Sequence, residues 1–243
     1  MALKESNNGL WRISRWSVDN VHGSAALVTI SLPVHFPSNE LFNGGHLAIS
    51  LDVSASSSSY FAVMTADPVS RTITLYVKRS SRGRVSAVLL DGQCPQPLYL
   101  SRPAAGILLP ARTRRPMFVA AGSGLASGVG LLRRRLLQDP LPAQGVSLLF
   151  VGSTQECATV SAAVAQVGLP VDLRLWDPAR RGRRPAVPDL HAAMARFRPD
   201  WMYVCGPSDF AQMVRDSAAM LEGPVPEVLA ECYGASRPAT AGV

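Results

Sequence analysis

Lysine is almost missing from this chain of 243 residues: Lys4 and Lys78 are the only two, and arginine supplies the rest of the 24 basic residues. Against them stand 17 acidic residues, leaving a formal net charge of +7. A basic surface attracts nucleic acid, an acidic protein or a phosphorylated cofactor. A compositional bias towards arginine, beside abundant Ala, Gly, Pro and Leu, explains the charge equally well. No Lys/Arg stripe interleaved with aromatics is present, which argues against a nucleic-acid partner. Cysteine is scarce too: Cys94, Cys157, Cys205 and Cys232 lie too far apart for a zinc ribbon or an iron–sulfur cluster, which need grouped thiolates. No run of about twenty apolar residues exists to span a membrane. The opening MALKESNNGLWRI lacks the basic-then-apolar order of a signal peptide. The expectation is a cytoplasmic protein with reduced thiols. With 47% hydrophobic and 17% charged residues, the chain holds enough apolar material for real cores.

What is present changes character near the middle. From Leu10 to about Pro110 the apolar residues alternate or run in short stretches rich in Val, Ile, Thr and aromatics. These are GLWRISRWSV, AALVTISLPV, HLAISLDV, SYFAVMT, RTITLYVKR and QPLYLSRP, separated by turn material such as PSNELFNGG and ADPVS. SASSSS is a loose loop before the fourth. Six strands with no long helical period between them predict an antiparallel, Greek-key barrel, closed or nearly so. From Arg115 onward, strand and helix patterns alternate, giving five strands and four helices and predicting a parallel, doubly wound, Rossmann-like sheet. The fold class is therefore two-domain, β then α/β, with domains at 1–112 and 113–243 joined by the Pro- and Arg-rich LLPARTRRP.

Sheets of the second kind bind ligands beyond the carboxyl ends of their strands. Three such ends stand out. Gly122-Ser123-Gly124 opens a helix, whose amides and dipole favour a phosphate; small residues there equally let a helix pack closely on a strand. Cys205-Gly206-Pro207 ends WMYV and places a thiol at the cleft, or a small buried cysteine. Glu231-Cys232-Tyr233-Gly234 puts an acid and a ring at the last strand's end. Together they place a phosphate turn, a thiol, a carboxylate and a flat ring on one sheet edge, an arrangement suited to a nicotinamide dinucleotide.

The order and placement of these motifs resembles the ferredoxin–NADP⁺ reductase superfamily, over nearly the whole chain from about residue 10 to 235. AAGSGLAS matches its glycine turn, YVCGPSDF its Cys-Gly-Pro, and ECYG its terminal acid-x-aromatic. Gly83-Arg84-Val85-Ser86 matches its Gly-x-x-Ser/Thr flavin-phosphate motif. The resemblance implies that Gly83, Arg84, Val85 and Ser86 bind the FAD pyrophosphate, and that Gly122, Ser123 and Gly124 cradle the phosphates of NADP or NAD. Cys205, Gly206 and Pro207 then border the nicotinamide, with Glu231 and Tyr233 closing the pocket; Cys205, Glu231 and Tyr233 are the catalytic candidates.

Two departures from the family stand out. Its Arg-x-Tyr-Ser/Thr on the fourth barrel strand is replaced by SSYFAVMT, leaving Tyr60, Phe61, Ala62 and Val63 as the flavin wall without an arginine. Ser127 stands where proline is common, which bears on helix entry rather than chemistry. For the nucleotide's ribose, Ser153 and Thr154 end the second α/β strand without an acid, while Arg180, Arg181, Arg183 and Arg184 form either a 2′-phosphate site or a solvated loop. These features lean towards NADPH. The resemblance implies a flavin-dependent NAD(P)H oxidoreductase that delivers electrons to a separate protein acceptor, an acidic ferredoxin or flavodoxin, or an oxygenase component. The alternative is a reductase-like subunit with weakened flavin binding, acting as a scaffold or regulator. A plain Rossmann dehydrogenase would leave the barrel unused.

Overall fold

The computed structural model describes residues 9–22, 24–37, 44–80, 83–92, 97–104, 107, 109–110, 112–138, 145–166, 168 and 171–233. Seven antiparallel strands build the first half: β1 (Trp11–Ile13), β2 (Trp16–His22), β3 (Ala25–Ser31), β4 (His46–Ser50), β5 (Ser58–Asp67), β6 (Thr72–Lys78) and β7 (Leu98–Leu100). Their order across the sheet is β1-β7-β4-β5-β6-β3-β2. The count exceeds the expected six because GLWRISRWSV is two strands. Ser14 and Arg15 are both exposed, which breaks the inward–outward alternation of Trp11, Arg12 and Ile13. The chain resumes as β2 on the opposite edge of the sheet.

β5 is the strand that curls the sheet. Its first half pairs with β4 (Ala62 opposite His46), its second half with β6 (Val63 opposite Leu75), and the register slips between Val63 and Thr65. Such an irregularity bends and twists a strand, so the sheet forms an open half-barrel rather than a closed one. Helix α1 (Arg84–Asp91) plugs it, with Val85 and Leu89 four residues apart in the barrel core.

The second half alternates as expected. It runs β8 (Pro116–Ala121), a single 3₁₀ turn (Gly122–Gly124), α2 (Leu125–Gln138), β9 (Ser147–Val151), α3 (Thr154–Gln166) and β10 (Asp172–Trp176). After these come α4 (Pro178–Arg181), α5 (Val187–Phe197), β11 (Trp201–Pro207), α6 (Ser208–Ala219) and β12 (Glu227–Tyr233). All five strands are parallel, in the order β10-β9-β8-β11-β12. The extra helix, α4, is one turn inside the arginine-rich stretch, capped by Asp177, which accepts from the Ala179 amide. Strands covered on both faces read as continuous apolar runs. Thus Met117 and Val119 face α5 and α6, while Phe118 and Ala120 face α2 and α3.

The two halves share a core. Ala25, Leu27, Met64 and Tyr76 of the antiparallel sheet pack into the cluster built from α2, α3 and the parallel sheet. Gly130 of α2 is a point of close approach: a Cβ there would lie 2.2 Å from the Gly44 nitrogen and 2.5 Å from the Val63 carbonyl oxygen.

Candidate functional site

The strand order of the parallel sheet reverses between β8 and β11, and a crevice opens there beyond the carboxyl ends. The Gly122–Gly124 turn lies at the end of β8. Gly122 adopts a φ of +55°, and Gly124 lies against the end of β11, where an added Cβ would be 2.4 Å from the Cys205 carbonyl oxygen. The packing reading of this turn holds: the glycine lets the helix entry pack onto the strand, and the same packing brings α2's first amides to the crevice. Cys205 is in register with Ala120 of β8 and with Glu231 of β12, so thiol and carboxylate are neighbours on adjacent strands.

The half-barrel supplies the opposite wall. A cleft of about 620 Å³ lies between the sheets. From the antiparallel half it is lined by His46, Tyr60, Phe61, Ala62, Tyr76, Lys78, Ser80, Gly83 and Ser86, and from the parallel half by Ser123, Gly124, Ser127, Cys205, Glu231 and Cys232. The loop entering α1 is held in shape by Ser86. Its hydroxyl accepts from the Ser80 amide at 3.1 Å and donates to the Gly83 carbonyl at 3.0 Å. The first turn of α1 carries no acidic residue, so its amides compete with no local carboxylate for an anion.

Three polar side chains converge on Glu231. Tyr203, two residues before Cys205 and on the same face of β11, donates its hydroxyl to Glu231 Oε2. His46 Nε2, across the domain boundary on β4, lies 3.5 Å from the same oxygen. Ser127 of α2 lies against Tyr203, Cys205 and Glu231. Burial alone would raise the Glu231 pKa. The His46 and Tyr203 interactions outweigh it and hold the carboxyl below its ordinary value. The opposite holds for the thiol: burial, then the Glu231 charge, push Cys205 up to about 12. Cys205 is therefore a neutral, weakly polar wall and not a thiolate nucleophile. The same causes, burial foremost, raise Tyr203 far above its ordinary value, so it remains a donor. Ser127, expected to matter only for helix entry, contributes a hydroxyl to this cluster that proline lacks.

At the cleft's other end Lys78 Nζ lies 2.8 Å from Glu156 Oε1, joining β6 to α3 across the two halves. The Glu156 side chain is 6% exposed and also accepts from the Ser153 amide and hydroxyl, each at 2.9 Å. Burial opposes its ionisation, but Lys78 and Ser153 prevail and lower its pKa beneath the ordinary 4.5. The contribution of this pair to stability is thus complete above that value and is lost as pH falls through the lowered pKa. Thermal unfolding followed from pH 7 to pH 3 is expected to show a steeper loss for the wild type than for E156Q, which has no charge to lose. Equal slopes would refute the assignment.

Farther from the cleft, Thr154 donates its hydroxyl to Asp177, which ends β10 and also holds the Ala179 amide at 2.9 Å. Arg180 lies 3.5 Å from Asp177, and Arg181 stacks over Trp176 at 4.2 Å. Arg183 is bound to Asp189.

Of the residues singled out from the sequence, the structure brings Tyr60, Phe61, Ala62, Gly83, Ser86, Ser123, Gly124, Cys205 and Glu231 to one cleft. Val63 and Val85 sit in the barrel core. Arg84, Gly122, Gly206 and Pro207 adjoin the cleft in sequence without lining it, while Ser153, Arg180 and Arg181 belong to the α3–α4 edge. Tyr233 is placed by its backbone, paired with Pro207; its side chain, like Cys94 and Gly234, lies outside the described residues. Sequence reasoning missed His46, Tyr203, Lys78 and Asp177. Tyr203 had a usable signal, the period-2 relation to Cys205, and Asp177 another, an Asp-Pro at a helix start; His46 and Lys78 are polar residues whose partners come from distant elements.

No protein-family model matches the sequence, and no curated protein matches it. Solved structures match its fold. A ferredoxin NADP⁺ reductase from Neisseria gonorrhoeae with bound FAD and NADP superposes with a TM-score of 0.66 at 15% identity, over 92% of this chain and 98% of that one. Phthalate dioxygenase reductase gives a TM-score of 0.69 at 17% identity, over 91% of this chain and 68% of that chain. An intact type IV self-sufficient cytochrome P450 monooxygenase gives 0.68 at 17% identity, and its match covers 91% of this chain but only 28% of that protein. At these identities the likeness is one of fold: a half-barrel followed by a doubly wound domain, as in ferredoxin reductase-type FAD/NAD-binding proteins.

Proposed function

We propose that a chain with this fold and this cleft is a flavin-dependent NAD(P)H oxidoreductase, passing electrons from NAD(P)H through FAD to a separate protein acceptor. The observation that carries the reading is the shared cleft. The Ser80–Gly83–Ser86 loop and the aromatic pair Tyr60–Phe61 face the Ser123–Gly124 turn, Cys205 and Glu231 across one cavity. Residues 1–112 would form the flavin half and 113–243 the nicotinamide half.

The cleft fits such cofactors in its own terms. A side chain at Gly83 would crowd Ser80 Cβ at 3.0 Å and Ser86 Oγ at 3.1 Å, so the backbone is bare where a phosphate must approach. When bound, FAD and the nicotinamide supply the hydride chemistry. The chain's part is to align the rings and exclude water. Gly83, Ser86 and the α1 amides hold the flavin phosphates, and Tyr60 and Phe61 wall the ring. Ser123 and Gly124 hold the nicotinamide dinucleotide phosphates, and the neutral Cys205 thiol packs beside the nicotinamide.

Among the matched structures, phthalate dioxygenase reductase is a module for electron transfer from pyridine nucleotides to a [2Fe–2S] centre. The net charge of +7 favours an acidic acceptor here, a ferredoxin- or flavodoxin-like protein or an oxygenase component. Arg180 and Arg181 favour NADPH over NADH. No helix among the described residues is long and apolar enough to cross a membrane, and we place the protein in the cytoplasm.

Protein purified with added FAD is expected to show flavin absorption bands that bleach when NADPH is supplied without oxygen. A second reading, a reductase-like scaffold with weak flavin binding, draws on Ser59-Tyr60-Phe61-Ala62, which gives β5 no cation, and on the engagement of Lys78 by Glu156. Colourless protein that oxidises neither NADPH nor NADH and copurifies with a stoichiometric partner would select it.

A further inference from the structure

Glu231 sits at the end of β12, yet one of the groups that set its ionisation belongs to the other sheet. His46 opens β4, and its backbone is clamped on both sides. It faces Ala62 of β5 in register, and it exchanges two backbone hydrogen bonds with Ala104, from the His46 amide at 3.1 Å and from the Ala104 amide at 2.7 Å. The imidazole therefore projects from a rigid support into the cleft, with Nε2 3.5 Å from Glu231 Oε2. The remaining neighbours of that carboxylate are Tyr203 and Cys205 of β11, Ser127 of α2 and Cys232 of its own strand. Of these only Tyr203 and Ser127 are good hydrogen-bond donors, and none carries positive charge.

We infer that His46 is a positioning residue for Glu231, holding the carboxylate aimed into the cleft from across the domain boundary. Without it, Glu231 would be a half-buried acid beside a thiol, tied only to hydroxyls. Burial would then favour its neutral form, and a neutral carboxyl can swing away from a donor it no longer needs. The pair also makes the geometry of the nicotinamide side depend on the flavin side: if the two sheets separate, Glu231 loses its imidazole partner. The inference rests on the oxidoreductase reading only for what Glu231 then faces, the nicotinamide.

Carbon-13 NMR of protein labelled at the glutamate carboxyl, with E231Q identifying the resonance, reads the Glu231 titration directly and needs no cofactor. H46A is expected to move the Glu231 pKa upward, and H46Q, which keeps a hydrogen-bond donor, to restore part of the shift. A Glu231 titration unmoved by H46A overturns the inference. In kinetics, H46A should raise the KM for the reduced nicotinamide nucleotide by roughly tenfold, with less effect on kcat. The loss should vanish on an E231Q background; the same loss on both backgrounds means a packing role and also overturns it. Should the protein bind no nicotinamide nucleotide while H46A still moves the Glu231 titration, the oxidoreductase reading falls and the role of His46 stands.

Discussion

Gly130→Ala is expected to destabilise the protein by about 3 kcal/mol or more, near the upper end for overpacking, and to lower its melting temperature by roughly 6 to 12 °C. The reason is that the added methyl meets backbone and not a yielding side chain. It would sit 2.2 Å from the Gly44 nitrogen, 2.6 Å from its Cα and 2.5 Å from the Val63 oxygen. Those atoms are themselves bound: the Gly44 amide donates to the Val63 carbonyl at 2.8 Å, and the Val63 amide to the Gly45 carbonyl at 2.8 Å. Relief must come from moving α2 away from β5, which parts the two halves and stretches the His46–Glu231 and Lys78–Glu156 pairs together. Gly128→Ala, on the same helix, is the control. Its Cβ would make an ordinary 3.5 Å contact with the Phe118 ring, so the gain in helix propensity makes it neutral or stabilising by up to about 1 kcal/mol. Differential scanning calorimetry on the two variants checks the contrast. Similar melting curves for both would mean that the halves do not bear on each other through Gly130.

Gly124→Ala is expected to remove nicotinamide-nucleotide binding, with Kd weakened on the order of a hundredfold, about 2.7 kcal/mol, while flavin absorbance is retained. The methyl would lie 2.4 Å from the Cys205 carbonyl oxygen and 2.7 Å from both the carbonyl carbon and Cβ. The turn must lift off β11, carrying α2's first amides away from the crevice and displacing Cys205 from beside Glu231. The Gly83–Ser86 loop belongs to the other half, so the flavin side is spared. Titration with NADP⁺ and with FAD, each followed optically, separates the two effects. Equal loss of both would show that the phosphate sites are not divided between the halves.

The sheet edge on which these residues gather is legible in the sequence. Alternation of period 2 up to residue 110, then strand and helix in turn, implied the two kinds of sheet. A parallel sheet places every strand's carboxyl end on one edge, so Gly122–Gly124, Cys205 and Glu231 could be assigned to one edge from chain order alone. Local period does not carry through where the chain departs from it: Ser14 and Arg15 break the alternation, and one expected strand is two on opposite edges. It also left the Gly122–Gly124 turn undecided between packing and binding. The distance from Gly124 to the Cys205 backbone shows that close packing is what puts the turn at the crevice.

Periodicity and turn chemistry are local properties, set within a few residues, and they determined the order of the elements, the two sheets and the edge where chemistry gathers. Electrostatic partnership is not local. His46 and Glu231 come from different sheets, Lys78 and Glu156 from a strand of one half and a helix of the other, and Ser127 meets Tyr203 only because α2 lies across β11. Only the packing of α2 and α3 against the half-barrel decided that these side chains meet, and with them that Glu231 is held ionised while Cys205 is held neutral.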